Sequence, residues 1–206
     1  MDNAVALVQA YLHLNGYFTV TEFPVIEAMG KGRGHRIATD LDVLAFRFPH
    51  AGHDVTDHHK EKAFYAPDPA LNCPSNHADM LVGEVKEGHA ELNRGATNPF
   101  VLRSMLARFG CCSQHDAGPL VHQLLSRGKV TAPSGHNIRL VAFGTASLNT
   151  KNKRYEVIDL GHIVQFLQNY IHEHWHIFHL TQSKDPALGF LLLLEKALRG
   201  VTQNER

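Results

Sequence analysis

ATDLDVLAF, residues 38–46, and MLVGEVK, residues 80–86, decide how this chain folds. Both have strand length and are dominated by aliphatic residues. Both also carry charge where a buried strand should carry none. Strand side chains alternate, so Asp40 and Asp42 share one face, as do Glu84 and Lys86. Leu41, Val43, Val82 and Val85 fill the other positions. Burying a carboxylate in an apolar sheet is costly unless it is paired or binds a metal. If the two strands are neighbours, three acids and a lysine converge on one spot.

The elements around these strands follow from periodicity and punctuation. Residues 3–14 read as an amphipathic helix stopped by Asn15-Gly16. Residues 17–26 and 36–46 read as two strands joined by the glycine-rich turn at 29–35. Residues 47–79 lack a clear period and read as a long loop or insertion, with one helical turn near residues 58–64. After the strand at 80–86 come helices over 90–109 and 117–127. Strands over 138–147 and 154–159 follow, then a long helix over 161–179 and a last one over 185–199. Pro186 suits the first turn of that last helix. The expectation is a single α/β domain over 1–206, a central mixed sheet flanked by helices, with extra C-terminal helices over 161–200.

Composition sets outer bounds. The apolar share of 44% is that of an ordinary globular chain, and zero formal charge gives no global pull toward polyanions. The start of the chain lacks a cationic, apolar leader, and its longest apolar run, Phe190 to Leu194, is far too short to span a membrane. Three cysteines cannot form a disulfide framework, which fits a reducing cytoplasm. Sixteen histidines raise the chance of any histidine motif, so such motifs need independent support.

Hard oxygen ligands beside a lysine suit Mg²⁺ or Mn²⁺, which binds through one or two carboxylates and substrate phosphate. A cation there can polarise a phosphoryl oxygen and acidify an attacking water, while the lysine orients that water. Glu-x-Lys alone is weak, with about 0.4 chance occurrences in a chain of this composition. Its value comes from an apolar strand following another that carries aspartate in the same setting. A structural ion pair between Lys86 and Glu84 or Asp42 is the plainer alternative.

TDLDVLAF followed by LVGEVKEG resembles the core of the PD-(D/E)xK nuclease superfamily, the restriction-endonuclease-like and Holliday-junction-resolvase-like enzymes. The resemblance implies a helix, a three-strand meander, a helix and a further strand, here over residues 3–146. It implies a Mg²⁺- or Mn²⁺-dependent nuclease acting on DNA. Asp42 and Glu84 would hold the metal with the backbone carbonyl of Val85, and Lys86 would be the catalytic lysine. Many members carry a further acid on the first helix. Here that helix has only Asp2, at its start, and Glu22 or Asp40 would substitute. The third strand follows the second only after residues 47–79, a longer interval than usual. Lys31, Arg33, Arg36 and Arg94 are candidates for contacts to the nucleic-acid backbone, as is the Lys151–Arg154 turn. The last two helices would pack on the sheet or mediate self-association.

The rival motif is His172-Glu173-x-x-His176. On a helix its histidines share a face at i and i+4, as a zinc hydrolase requires, and Glu195 stands where a third ligand could come from. The helix argues against it. Ile163, Val164, Phe166, Leu167, Tyr170, Ile171, Trp175 and Phe178 form one apolar half, and His172 and His176 fall on the polar half. The zinc reading also leaves Asp40, Asp42, Glu84 and Lys86 unexplained. A noncatalytic module of the same fold, with structural charges, is the third alternative.

Overall fold

The computed structural model describes residues 2–28, 34–51, 67–145 and 154–204. The first helix, α1 (Asn3–Leu14), starts on Asp2, whose carboxylate accepts the Ala4 N–H. It ends at Asn15, and Gly16 takes a φ of +81° there. Two long antiparallel strands follow, β1 (Phe18–Ala28) and β2 (His35–Arg47), then β3 (Asp79–His89), antiparallel to β2. Helices α2 (Pro99–Arg108) and α3 (Ala117–Arg127) lead to the short strand β4 (Lys129–Thr131) and to β5 (Asn137–Thr145), which runs parallel to β3. Strand β6 (Glu156–Asp159) pairs in parallel with the far half of β5. Helices α4 (Leu160–Glu173), α5 (Trp175–Phe178) and α6 (Pro186–Asn204) close the chain.

The sheet runs β1-β2-β3-β5-β4, with β6 beside β5. It is mixed and has helices on both faces, as the alternation of strand and helix patterns predicts. The two faces hold separate cores. On one, α1, α4 and α6 bury Val8, Tyr11, Leu12, Ile163, Leu167 and Leu192 against Val43, Leu81, Val85 and Phe143. On the other, α2 and α3 bury Leu102, Met105, Leu106 and Leu124 against Leu44, Met80, Val82 and Leu140. Such apolar burial is the dominant favourable term in folding.

Several boundaries differ from the sequence reading. The helix expected at 90–109 begins at Pro99. Asn98 accepts the Phe100 N–H and Pro99 occupies the first turn, a start signal that overrides the upstream pattern. The helix expected over 161–179 ends at Glu173. The His174 imidazole lies on the Tyr170 ring at 4.4 Å, and its Nδ1 sits 2.8 Å from the Tyr170 carbonyl. That carbonyl belongs to the helix ladder, and the regular helix ends at this step. The three-residue β4 carries too little periodicity to be read from sequence. Within the expected 47–79 loop, Pro69–Leu71 form a 3₁₀ turn and Leu71 is fully buried in the α1–α4 core. The helical turn expected near 58–64 lies outside the described residues.

Candidate active site

Strands β2 and β3 pair from Arg47–Asp79 to Val43–Gly83, and there the ladder stops. Gly83 is needed at that last rung. A Cβ on it would lie 2.4 Å from Val43 Cγ1 and 2.8 Å from the Phe143 ring. Beyond it β3 stays paired with β5 through Val85–Phe143 but no longer with β2. Asp42 Oδ2 accepts the Val85 N–H at 2.8 Å, so a carboxylate takes the place of a ladder carbonyl.

On β1 the same row is distorted. Glu22, which falls between the paired rows Thr21–Val43 and Phe23–Leu41, has a φ of +52°, unusual for a non-glycine residue. Local backbone strain of this kind clusters at functional sites.

The result is an open cleft of about 570 Å³ lined by Asp2, Glu22, Asp40, Asp42, Val85, Lys86 and Glu87, with Val5 beneath. Glu84 stands behind Lys86 and is 0% exposed. Its Oε1 accepts from both Lys86 Nζ and the Asn93 amide. Its Oε2 is buried and, among the described residues, has no hydrogen-bond partner. Burial pushes the Glu84 pKa up, and the Asp42 charge adds to this; Lys86 and Asn93 oppose it without cancelling it. For Lys86, burial works against the charged form, but the hydrogen bond and charge of Glu84 outweigh it and raise the ammonium pKa.

The sequence candidates therefore divide. Asp42, Glu84, Lys86, Val85, Asp40 and Glu22 come together, and the helix-start acid Asp2 joins them while also capping α1. Arg36 lies out on the β1–β2 hairpin, paired with Glu27. Arg94 is exposed in the turn after β3, and Lys31, Arg33 and residues 151–153 lie outside the described residues. Sequence reasoning missed Asn93 and Glu87. The only local sign of Asn93 is the turn-forming composition of NRGATNP.

The histidine motif has other engagements. His172 Nε2 is 2.9 Å from Glu195 Oε2 on α6, and Arg199 holds the other Glu195 oxygen while covering the Trp175 ring at 4.1 Å. Arg199 first, then His172, lowers the Glu195 pKa. The break after Glu173 means that His172 and His176 do not stand one turn apart on a continuous helix. Among the described residues, no three His, Cys, Asp or Glu side chains converge in metal-binding geometry. A site made from two carboxylates and a backbone carbonyl, as the nuclease resemblance implies, does not require three.

The site's chemistry must be read from its own geometry, because no family model, no curated protein and no solved structure matches this chain. Among the described residues no helix is long and apolar enough to cross a membrane.

Proposed function

We propose that this protein is a Mg²⁺- or Mn²⁺-dependent nuclease that hydrolyses phosphodiester bonds in DNA. One observation carries the reading: a fully buried carboxylate, Glu84, keeps one oxygen without a partner among the described residues and is bound to Lys86, which lines an open acidic cleft together with Asp42. Burying an ionisable oxygen without a partner is costly, and a bound cation would compensate. The chain order supports the same reading. The resemblance implies a helix, a three-strand meander, a helix and a further strand, and the chain runs α1, the β1–β2–β3 meander, α2 and α3, then β4 and β5.

Asp42 and Glu84 would hold the cation with the carbonyl of Val85. A cation there supplies Lewis-acid polarisation of the phosphoryl group and acidifies water. Lys86 would orient the attacking water through its ammonium hydrogens and stabilise charge developing on the phosphoryl oxygens. Asp40, Glu22 and Asp2 border the cleft and add negative charge that favours cations over the bare phosphate. The water oxygen bonds to phosphorus as the bond to the 3′ oxygen breaks. The leaving oxygen gains a proton, and a 5′-phosphate and a 3′-hydroxyl remain. The choice of DNA and this cleavage polarity come from the resemblance.

The test is cleavage of a mixed panel of DNA and RNA substrates with Mg²⁺ or Mn²⁺ by wild type, Lys86→Ala and Glu173→Ala. The expected result is metal-dependent DNA cleavage that Lys86→Ala abolishes and Glu173→Ala retains. Loss through Glu173→Ala with retention in Lys86→Ala would move the chemistry to the histidine motif. No cleavage of any nucleic acid by wild type would count against the nuclease, and zinc content with peptidase substrates would then separate a zinc hydrolase from a noncatalytic module.

A further inference from the structure

Glu84 is held by two donors with different roles. Lys86 is charged and borders the cleft, its side chain 37% exposed. Asn93 is neutral and comes from the turn between β3 and α2. Its amide Nδ2 donates to Glu84 Oε1, the same oxygen that takes Lys86. With Oε1 shared by two donors, Oε2 is left buried and, among the described residues, without a hydrogen-bond partner.

The turn that presents Asn93 is tightly fixed. Asn93 Oδ1 accepts the Ala96 N–H at 2.7 Å, and its backbone carbonyl accepts from Thr97 Oγ1 at 3.0 Å and from the Thr97 N–H at 3.2 Å. Gly95 lets the turn press on β2, since a Cβ there would lie 2.3 Å from Thr39 Oγ1. The amide is thus anchored to the backbone at one end and to Glu84 at the other.

We propose that Asn93 is a positioning residue for the cation site, orienting Glu84 so that Oε2 alone serves as its ligand atom. The inference rests on the nuclease reading, because it needs Glu84 to hold a cation. The physical reason for an asparagine is charge. A lysine in contact with a carboxylate competes with an incoming cation for the same negative charge. A neutral amide fixes the carboxylate without that competition, and keeps fixing it when Lys86 turns to water or phosphate. Hydrogen-bond partners of metal ligands act in this way, and their removal typically lowers affinity by about 10- to 100-fold.

The two bonds made by the Asn93 side chain can be separated. Asn93→Ser keeps an oxygen able to accept the Ala96 N–H but is too short to reach Glu84. Mn²⁺ binding to the full chain would be measured by calorimetry for wild type, Asn93→Ser and Glu84→Gln, together with metal-free thermal unfolding. We expect Asn93→Ser to unfold near the wild-type temperature while its Mn²⁺ affinity falls about tenfold. Mn²⁺ affinity equal to wild type in Asn93→Ser, with Glu84→Gln weakened, would overturn the Asn93 role and leave the metal site standing. Wild-type affinity in Glu84→Gln, or no Mn²⁺ binding by wild type, would overturn both. If Asn93→Ser proves unstable, the wild type still decides the matter. The Asn93 side-chain amide NMR signal should shift during Mg²⁺ titration with the same midpoint as a Mg²⁺ calorimetric isotherm, and an unmoved signal would overturn the role.

Discussion

Strand β3 carries two buried acids, Asp79 at its start and Glu84 five residues on, and both are 0% exposed. Their surroundings are opposite. Both oxygens of Asp79 are used. Arg139 Nε donates to Oδ1 at 2.9 Å and Nη2 to Oδ2 at 2.6 Å, while Tyr17 OH donates to Oδ2 at 2.6 Å. Arg139 also reaches Glu156, and Cys73 rests on the Tyr17 hydroxyl at 3.3 Å. Glu84 has one oxygen engaged and one without a partner. The first end is a closed network that ties β3, β5 and β6 to Tyr17, the residue just before β1. The second leaves one buried oxygen unpartnered among the described residues, next to Lys86, which lines the cleft. Completed networks belong to architecture, and a buried oxygen without a partner is the feature on which the proposed cation site rests.

The sharpest way to break this comparison is to make the two ends behave alike. Glu84→Gln should lower metal-dependent cleavage by about 10³-fold, a loss of roughly 4 kcal/mol of transition-state stabilisation. Asp79→Asn should leave cleavage per folded molecule near wild type; steady-state rates corrected for the folded fraction would check both. The stability ranking should be reversed. Asp79→Asn leaves Arg139 short of a buried partner and should cost about 3 kcal/mol by urea unfolding, softened because Glu156 still holds the guanidinium. Metal-free Glu84→Gln should be close to wild type or more stable.

Ligand linkage gives a smaller effect of the same kind. Mn²⁺ at about 100 times its Kd should stabilise wild type by roughly 2.7 kcal/mol, and Asp79→Asn by the same increment, but not Glu84→Gln. Scanning calorimetry with and without the ion would show it. The smallest effect is in pH. The folded-state pKa of Glu84 lies above its ordinary value of 4.5, so the native state holds this proton more tightly than the unfolded chain. Its contribution is therefore full below about pH 4.5 and is lost as pH rises through the raised value. The unfolding temperature of metal-free wild type should fall over that interval relative to Glu84→Gln. Parallel profiles would show that Glu84 is as well compensated as Asp79.

The longer strands, the first helix and the charged positions were legible because each writes a local pattern. Period-two alternation placed Asp40, Asp42, Glu84 and Lys86, and Asn15-Gly16 marked the end of α1. Asn93 was not legible. It lies nine residues from Glu84 in a turn, and no periodicity says which way a turn folds back. The Asp79–Arg139 pair was hidden for a related reason: two charges 60 residues apart form a bond only after β3 and β5 align in parallel. The break at His174 was masked by an apolar stripe that runs on through Trp175 and Phe178 as if the helix continued.

By itself, then, the sequence determined the α/β class, the strands that carry charge and the residue types able to hold a hard cation, because these depend on neighbours within a few positions. Only the tertiary structure decided that Asp2 and Glu22 meet Asp42 at one cleft, that Asn93 shares Glu84 with Lys86, and that one buried acid is closed while the other is open. Those outcomes depend on strand register and on where the β2–β3 ladder stops, and both are set by packing between segments far apart in the chain.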